Sequence, residues 1–314
     1  DAFGYRQVIP AREPMSVDTI FDLASLTKVV ATLPAILHLV QTRVFSLDDP
    51  LKRHLPIPAT HPLGDATIEQ LLTHSAGLPP RTSLNQYGHA RRDMLRGLLD
   101  SPLDAPPGAN VIYSNRGFLI LGLLIESVSS LSLDRYVSKH VWTPLGMHET
   151  WFSPPEAVFS RVAPTEFRER LGSCQRGTVH DENAALLGGV AGHAGVFSTA
   201  RDLARFCAVI MASVRQASPP ILDPELVRLS LRDHTPTLNE SRGLGWEIET
   251  GEDAEELIFS HLGFTGTSIH LNPARDMFVL LLANRVHPTR DDPDSIREIR
   301  REVARLCWRL ADRH

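Results

Sequence analysis

The apolar positions of this chain recur with a helical period through its middle and with a strand period towards its C-terminus. Val29, Val30, Leu33, Ile36, Leu37 and Val40 are spread nearly all round one helix, so that helix belongs in a core. Pro34 inside it removes a backbone donor and predicts a kink or a division. Helical spacing also covers Ile68 to His74 and Ala90 to Leu99. A very apolar helix runs from about Gly117 to Val128, and a further one, capped by Ser132, reaches about Val141. Thr199 and Asp202 stand in capping-box-like spacing before a helix to about Ala212, and Pro224 to Leu231 forms another short one. From Gly245 the period changes. Trp246 to Glu249, Leu257 to Ser260, Gly266 to Leu271 and Met277 to Ala283 read as strands, the last two joined by a turn over Asn272 to Asp276. Ile296, Ile299, Val303, Leu306, Cys307 and Leu310 mark an amphipathic closing helix. Ala2 to Val8 alternates weakly, as a strand does. Strands at both termini therefore bracket a helical middle, an α+β arrangement with no linker between independent domains. Pro154 to Gly192 is the least regular part, with Gly188, Gly189 and Gly192 giving it loop chemistry.

Composition narrows the function classes. A hydrophobic share of 42% and a charged share of 22% are ordinary for a soluble globular protein, and a formal net charge of -5 gives no reason to expect nucleic acid or an anionic membrane as a partner. The apolar runs Phe118 to Ile125 and Met277 to Ala283 are far too short to span a bilayer. Cys174, Cys207 and Cys307 form no C-x-x-C pair or disulfide framework and read as free, buried thiols. The chain opens on Asp1 without a methionine, so a targeting segment is not legible.

Candidate chemistry centres on Phe21 to Val30. Ser25 and Lys28, three residues apart at a helix start, fall on one face one turn apart. A serine hydroxyl becomes a good nucleophile when a neighbouring base takes its proton, and a desolvated lysine amine is such a base. Of 32 Lys and Arg residues only Lys28, Lys52 and Lys139 are lysine, and arginine does not serve as a base. Chance alone places a Ser three residues before a Lys in roughly one such chain in five, so the pair needs partners. Tyr113, between the Pro106–Pro107–Gly108 break and a helix start, can present a phenol for general acid–base work. Asn115 offers an amide that both donates and accepts. His261 enters a strand, and Gly263 would let a substrate backbone approach closely.

Ser25-Leu26-Thr27-Lys28, Tyr113-Ser114-Asn115 and His261-Leu262-Gly263 resemble, in order, the three motifs of the serine β-lactamase and penicillin-binding-protein superfamily, with Tyr and His in the forms of its class C and D-alanyl-D-alanine carboxypeptidase branch. Leu71 to Pro79 and Gly192 to Ser198 are also similar to family stretches. Val179 to Ala184 and Ala283 to Arg290 resemble a subgroup of cell-wall-turnover carboxypeptidases and muramoyl-L-alanine amidases. The resemblance covers essentially the whole chain. It implies one β-lactamase/transpeptidase-like catalytic domain over residues 1–314, with an antiparallel sheet built by both termini (about 1–24 and 243–314), flanked by helices, and a helical subdomain over about 25–242. The family's helix and strand that precede Phe3 would be missing. Catalytic roles would fall to Ser25, Lys28 and Tyr113, and substrate binding to Asn115, His261, Gly263 and Phe264. The backbone N–H groups of Ser25 and Phe264 would form the oxyanion hole.

What this implies is a serine hydrolase that forms an acyl-enzyme on an amide or ester, with a peptidoglycan-derived peptide as the expected substrate. A promiscuous esterase or weak class C-like β-lactamase, and a penicillin-binding sensor that is acylated without turnover, stay open. The expected partner is a small molecule or short peptide (a cell-wall fragment or a β-lactam). The setting would be the cell envelope or an exported one rather than the cytoplasm. No cofactor is implied. His180, Asp181 and His193 invite a metal, but no H-E-x-x-H or Cys/His ligand spacing exists. His193 reads instead as a loop-structuring residue, and the subgroup resemblance alone makes His180 and Asp181 candidates to line the pocket. No G-x-S-x-G elbow occurs, which argues against an α/β-hydrolase, and no E-x-x-L-N supports a class A deacylation glutamate. Arg290 could bind a substrate carboxylate, but beside Asp291 and Asp292 it reads first as a solvated charge.

Overall fold

The computed structural model describes residues 1–215, 222–251, 256–291 and 295–311. Tyr5–Gln7 (β1) folds back on Glu13–Pro14 (β2) as a ribbon of their own. Ile20–Asp22 (β3) leads into a 3-10 turn, a π-helical turn Lys28–Thr32 and then helix α1, Leu33–Gln41. Pro34 does divide this helix: it lies at the start of α1, where its missing donor costs nothing. The stretch Ala24–Gln41 is long and apolar enough to cross a membrane, yet 78% of it is buried inside the protein. It is the central core helix. α2 (Ile68–Leu72) starts on a Thr67–Gln70 capping box. Arg91–Asp100 (α3), Asn115–Ser129 (α4) and Leu133–Val137 (α5) follow, the last continuing as a π turn to Trp142. Ser132 occupies the N-cap position of α5 but its side chain makes no capping bond.

The irregular middle contains a two-stranded ribbon, Phe167–Arg168 (β4) with Ser173–Cys174 (β5), and the short α6, Glu182–Leu186. Phe197–Thr199 (β6) then pairs antiparallel with β3, bringing the Gly192 loop beside the start of the core helix. Thr199 caps α7 (Ala200–Val214) through Asp202 N–H, and Pro224–Ser230 is α8.

Glu247–Thr250 (β7), Leu257–Leu262 (β8), Ser268–Asn272 (β9) and Met277–Leu281 (β10) form an antiparallel sheet of order β10-β9-β8-β7. Strand alternation sorts its two faces. Phe259, Ile269 and Leu271 enter the main core, while Ile258, Met277 and Val279 meet Val303, Ala304 and Trp308 of the closing helix α9, Ser295–Ala311.

One expectation is corrected here. Among the described residues, the four-stranded sheet draws all its strands from the C-terminal part; in the N-terminal segment β1 pairs with β2, and β3 pairs with β6. β8 is not the sheet's outermost strand: β7 covers it from Leu257 to Ser260, and only the end at His261 to Gly263 runs past that partner.

Candidate active site

β3 ends at Asp22, and the chain turns sharply before Ser25. Ala24 sits at φ 46°, a left-handed conformation that costs a residue with a Cβ about 1–2 kcal/mol. The turn is held from several sides. Asp22 Oδ1 accepts from Ala24 N–H at 2.8 Å, Leu23 N–H donates to Val196 O at 2.8 Å, and Thr267 Oγ1 donates to Leu23 O at 3.0 Å. Ser25 is left half-buried at the surface of the cleft while Lys28 is fully buried.

Lys28 Nζ lies 3.0 Å from Ser25 Oγ, 2.7 Å from Tyr113 Oη, 2.9 Å from Asn115 Oδ1 and 3.3 Å from the His193 carbonyl. The first two motifs, 85 residues apart, thus converge on one amine. An ammonium has three protons for these four oxygens, and a neutral amine would turn its lone pair to one of the hydroxyls. The rings of Tyr113 and Phe118 also face the amine, at 4.9 and 5.6 Å.

The second motif is shaped by residues behind it. Ser114 N–H donates to His74 Nδ1 and Ser114 Oγ to Pro79 O, while its Oγ also caps α4 at Arg116 N–H. Arg116, fully buried, donates to the carbonyls of Leu98, Ser101 and Pro102. The His74 ring packs on Tyr113 with centroids 4.5 Å apart. Burial, then the charges of Arg242 and Lys28, hold His74 neutral, far below the usual imidazole range. Tyr113 consequently stands with a supported ring and 37% of its surface open.

The loop behind Lys28 is fixed at Gly192 and His193. Thr32 Oγ1 donates to Gly192 O at 2.6 Å, and a Cβ on Gly192 would stand 2.1 Å from Phe118 O. His193 Nε2 lies 2.8 Å from Asp181 Oδ1, and the same oxygen caps α6 at Ala184 N–H. Burial opposes ionisation of Asp181, but His193, the Ala184 N–H and Lys28 hold its carboxyl well below the usual range. His193 thus ties its loop to Asp181, and its carbonyl joins the surroundings of Lys28. His180 instead turns to Glu166, 3.3 Å away, so the three residues that invited a metal do not share a focus. Among the described residues no three His, Cys, Asp or Glu side chains gather as a metal site would require.

The third motif lines the facing wall. His261 is buried, with its ring 6.3 Å from that of Tyr113; Nδ1 reaches Leu262 O at 3.2 Å, and Nε2 has no partner among the described residues. Burial, then the charges of Lys28 and Arg242, keep this imidazole neutral too. Gly263 is buried, and a Cβ there would meet Thr267 Oγ1 at 2.1 Å and Leu23 O at 2.5 Å. Its small size serves the joint between β8 and the Ala24–Ser25 turn. Phe264 is 47% exposed, stacked on His180 at 5.8 Å and under the Arg285 guanidinium at 4.4 Å. Arg290 is not a solvated charge beside Asp291; Asp292 lies outside the described residues. Its guanidinium grips Glu166 at 2.6 Å and Glu182 at 2.9 Å, completing the wall behind Phe264.

Comparison with known proteins follows the same line. The Beta-lactamase family model matches residues 1–304. The chain belongs to the beta-lactamase family. A "Putative D-alanyl-D-alanine carboxypeptidase" of Salmonella enteritidis is 30% identical over 87% of this chain and 71% of the relative. An octameric penicillin-binding protein homologue from Pyrococcus abyssi superposes with a TM-score of 0.73 at 25% identity, over 94% of this chain and 67% of that one. A class C beta-lactamase from Rhodobacter sphaeroides gives a TM-score of 0.73 at 22% identity over 94% and 87% of the two chains, a likeness of fold. The β-lactamase/transpeptidase-like α+β fold expected from the motifs is therefore present, and this family member is a serine hydrolase.

Proposed function

We propose that Ser25 is the nucleophile of an acyl-transfer site acting on a peptidoglycan-derived peptide, as a D-alanyl carboxypeptidase or muramoyl-peptide amidase. The observation that carries this is the position of Lys28 Nζ, within hydrogen-bond reach of both Ser25 Oγ and Tyr113 Oη. In acylation Ser25 Oγ attacks the carbonyl carbon, its proton passes to a neutral Lys28 amine, and the Lys28–Tyr113 contact delivers a proton to the departing amine. The bond to the leaving group breaks and an ester on Ser25 remains. Water then repeats the sequence, with the same groups taking its proton and returning one to Ser25. The N–H groups of Ser25 and Phe264 receive the oxyanion, where one such donor is typically worth about 3–4 kcal/mol.

Asn115 and His261 bind substrate in this reading, Phe264 offers an apolar ring at the rim, and His180 lines the pocket only through that ring. The carboxypeptidase name carried by relatives supports the peptide class over a simple ester. The test is an activity panel of a muropeptide ending in D-alanyl-D-alanine, a muramoyl peptide, nitrocefin and p-nitrophenyl esters. Release of D-alanine or cleavage of the muramoyl peptide is expected. Turnover of esters or nitrocefin alone would make it an esterase or weak β-lactamase, and an adduct persisting for hours would make it a sensor.

A further inference from the structure

Asp22 is an acid in a place where ionised acids are expensive. It closes β3, it is 3% exposed, and its side-chain hydrogen bonds are to backbone N–H groups rather than to a cation. Oδ1 accepts from Ala24 N–H at 2.8 Å and Oδ2 accepts from His180 N–H at 2.7 Å, across 158 residues of sequence. Its carbonyl accepts from Thr265 Oγ1 at 2.6 Å. One residue therefore ties together the strained Ala24–Ser25 turn, the loop whose His180 ring supports Phe264, and the turn that carries the Phe264 N–H. An asparagine could accept from only one of the two N–H groups while pointing its own donors at the other. An ionised carboxylate satisfies both.

We infer that Asp22 is a positioning residue for the reaction: its ionised carboxylate holds Ser25 and both proposed oxyanion donors in register. This rests on Ser25 being the nucleophile. Burial, opposed by the two N–H groups and reinforced by Asp181, pushes the Asp22 carboxyl up to about 6. The other titratable or charged groups on the segments packed around it are His180 and Asp181 on the 178–182 loop, Lys28 one turn beyond Ser25, and His193 against Asp181. Of these, Asp181 is held well below the usual carboxylate range and burial moves His180 down.

The test measures the rate of Ser25 acylation by a fluorescent penicillin or fluorophosphonate between pH 5 and pH 8.5, on wild type, Asp22→Asn and the double variant Asp22→Asn/Ala24→Gly. Wild type should lose at least fivefold in rate below about pH 6. Asp22→Asn should be at least tenfold slower at pH 8, through kcat more than KM, and should lack that acid limb. Glycine at 24 removes the strain the carboxylate restrains, so the double variant should recover part of the rate, and it serves in place of the single variant if that fails to fold. A wild-type profile flat to pH 5, or an Asp22→Asn enzyme with wild-type rate and acid limb, would overturn the inference. Wild type that takes no label on Ser25 would instead remove the nucleophile reading on which it rests.

Discussion

The wall that carries Ser25, Lys28, Tyr113 and Asn115 and the wall that carries His261, Gly263 and Phe264 differ in how their polar atoms are satisfied. On the first, one buried amine is surrounded by four oxygens, and each neighbour is braced in turn: Tyr113 by His74, Ser114 by Pro79, the His193 loop by Asp181 and Thr32. On the second, His261 Nε2 has no partner among the described residues, Phe264 stands half in solvent, and β8 runs past the end of β7. Behind the first wall His74 Nε2 and His193 Nδ1 also lack a partner among the described residues, so the contrast lies in the amine, which already has its oxygens in place, and in the open end of β8 beside Phe264.

Substitutions should therefore split by wall. Lys28→Arg puts a guanidinium that cannot act as a base where the proposed amine stands, and acylation measured by stopped flow should fall by about 10³-fold; Tyr113→Phe should cost about 10²-fold. Both losses belong in kcat. Gly263→Ala pushes a methyl against Leu23 O and Thr267, which overpacking prices at about 1–3 kcal/mol. Its thermal midpoint should fall by a few degrees and its acylation rate about tenfold. His261→Asn, which removes an imidazole that makes no catalytic contact in the free enzyme, should stay within about tenfold and act mainly on KM. Equal losses for Tyr113→Phe and His261→Asn, both in kcat, would break the comparison.

The smallest effect concerns stability against pH. Burial holds His74 and His261 neutral and moves His270 down to about 4, whereas all three titrate at 6.5 once unfolded. Below that value the unfolded chain binds protons the folded chain refuses, so stability drops as pH falls, by at most about 1.4 kcal/mol per unit for each group. Asp22 runs the other way: raised to about 6, it takes up a proton in the folded state first and offsets one of the three as pH falls below 6. The thermal midpoint followed by circular dichroism should be lower at pH 5 than at pH 7. A midpoint that rises on acidification contradicts this assignment.

Much of this was legible in the chain because it is written in local periods. The all-round apolar helix after Ser25, the strands after Gly245 and the i, i+3, i+7 spacing of the last helix are where the sequence places them, to within a few residues. The Ser25–Lys28–Tyr113–Asn115 set was legible through spacing and order. What escaped depends on contacts made across the chain. Pairing of β1 with β2 and of β7 with β8 follows from tertiary register, not from the alternation of either strand. The roles of Gly263, Arg290, His74 and Asp22 each follow from a partner at least 20 residues away, and nothing in their neighbours announces it. His74 stood within a stretch similar to the family, a signal that the position matters without a sign of what it does.

The central claim is that Ser25 is acylated with Lys28 beside it as base. Its most direct test is intact-mass measurement of wild type and Ser25→Ala after incubation with a fluorescent penicillin or a fluorophosphonate, with peptide mapping of any adduct. One adduct per wild-type chain, mapped to Ser25 and missing from Ser25→Ala, is the result this structure predicts. No adduct on wild type, or an undiminished adduct on Ser25→Ala, would contradict it.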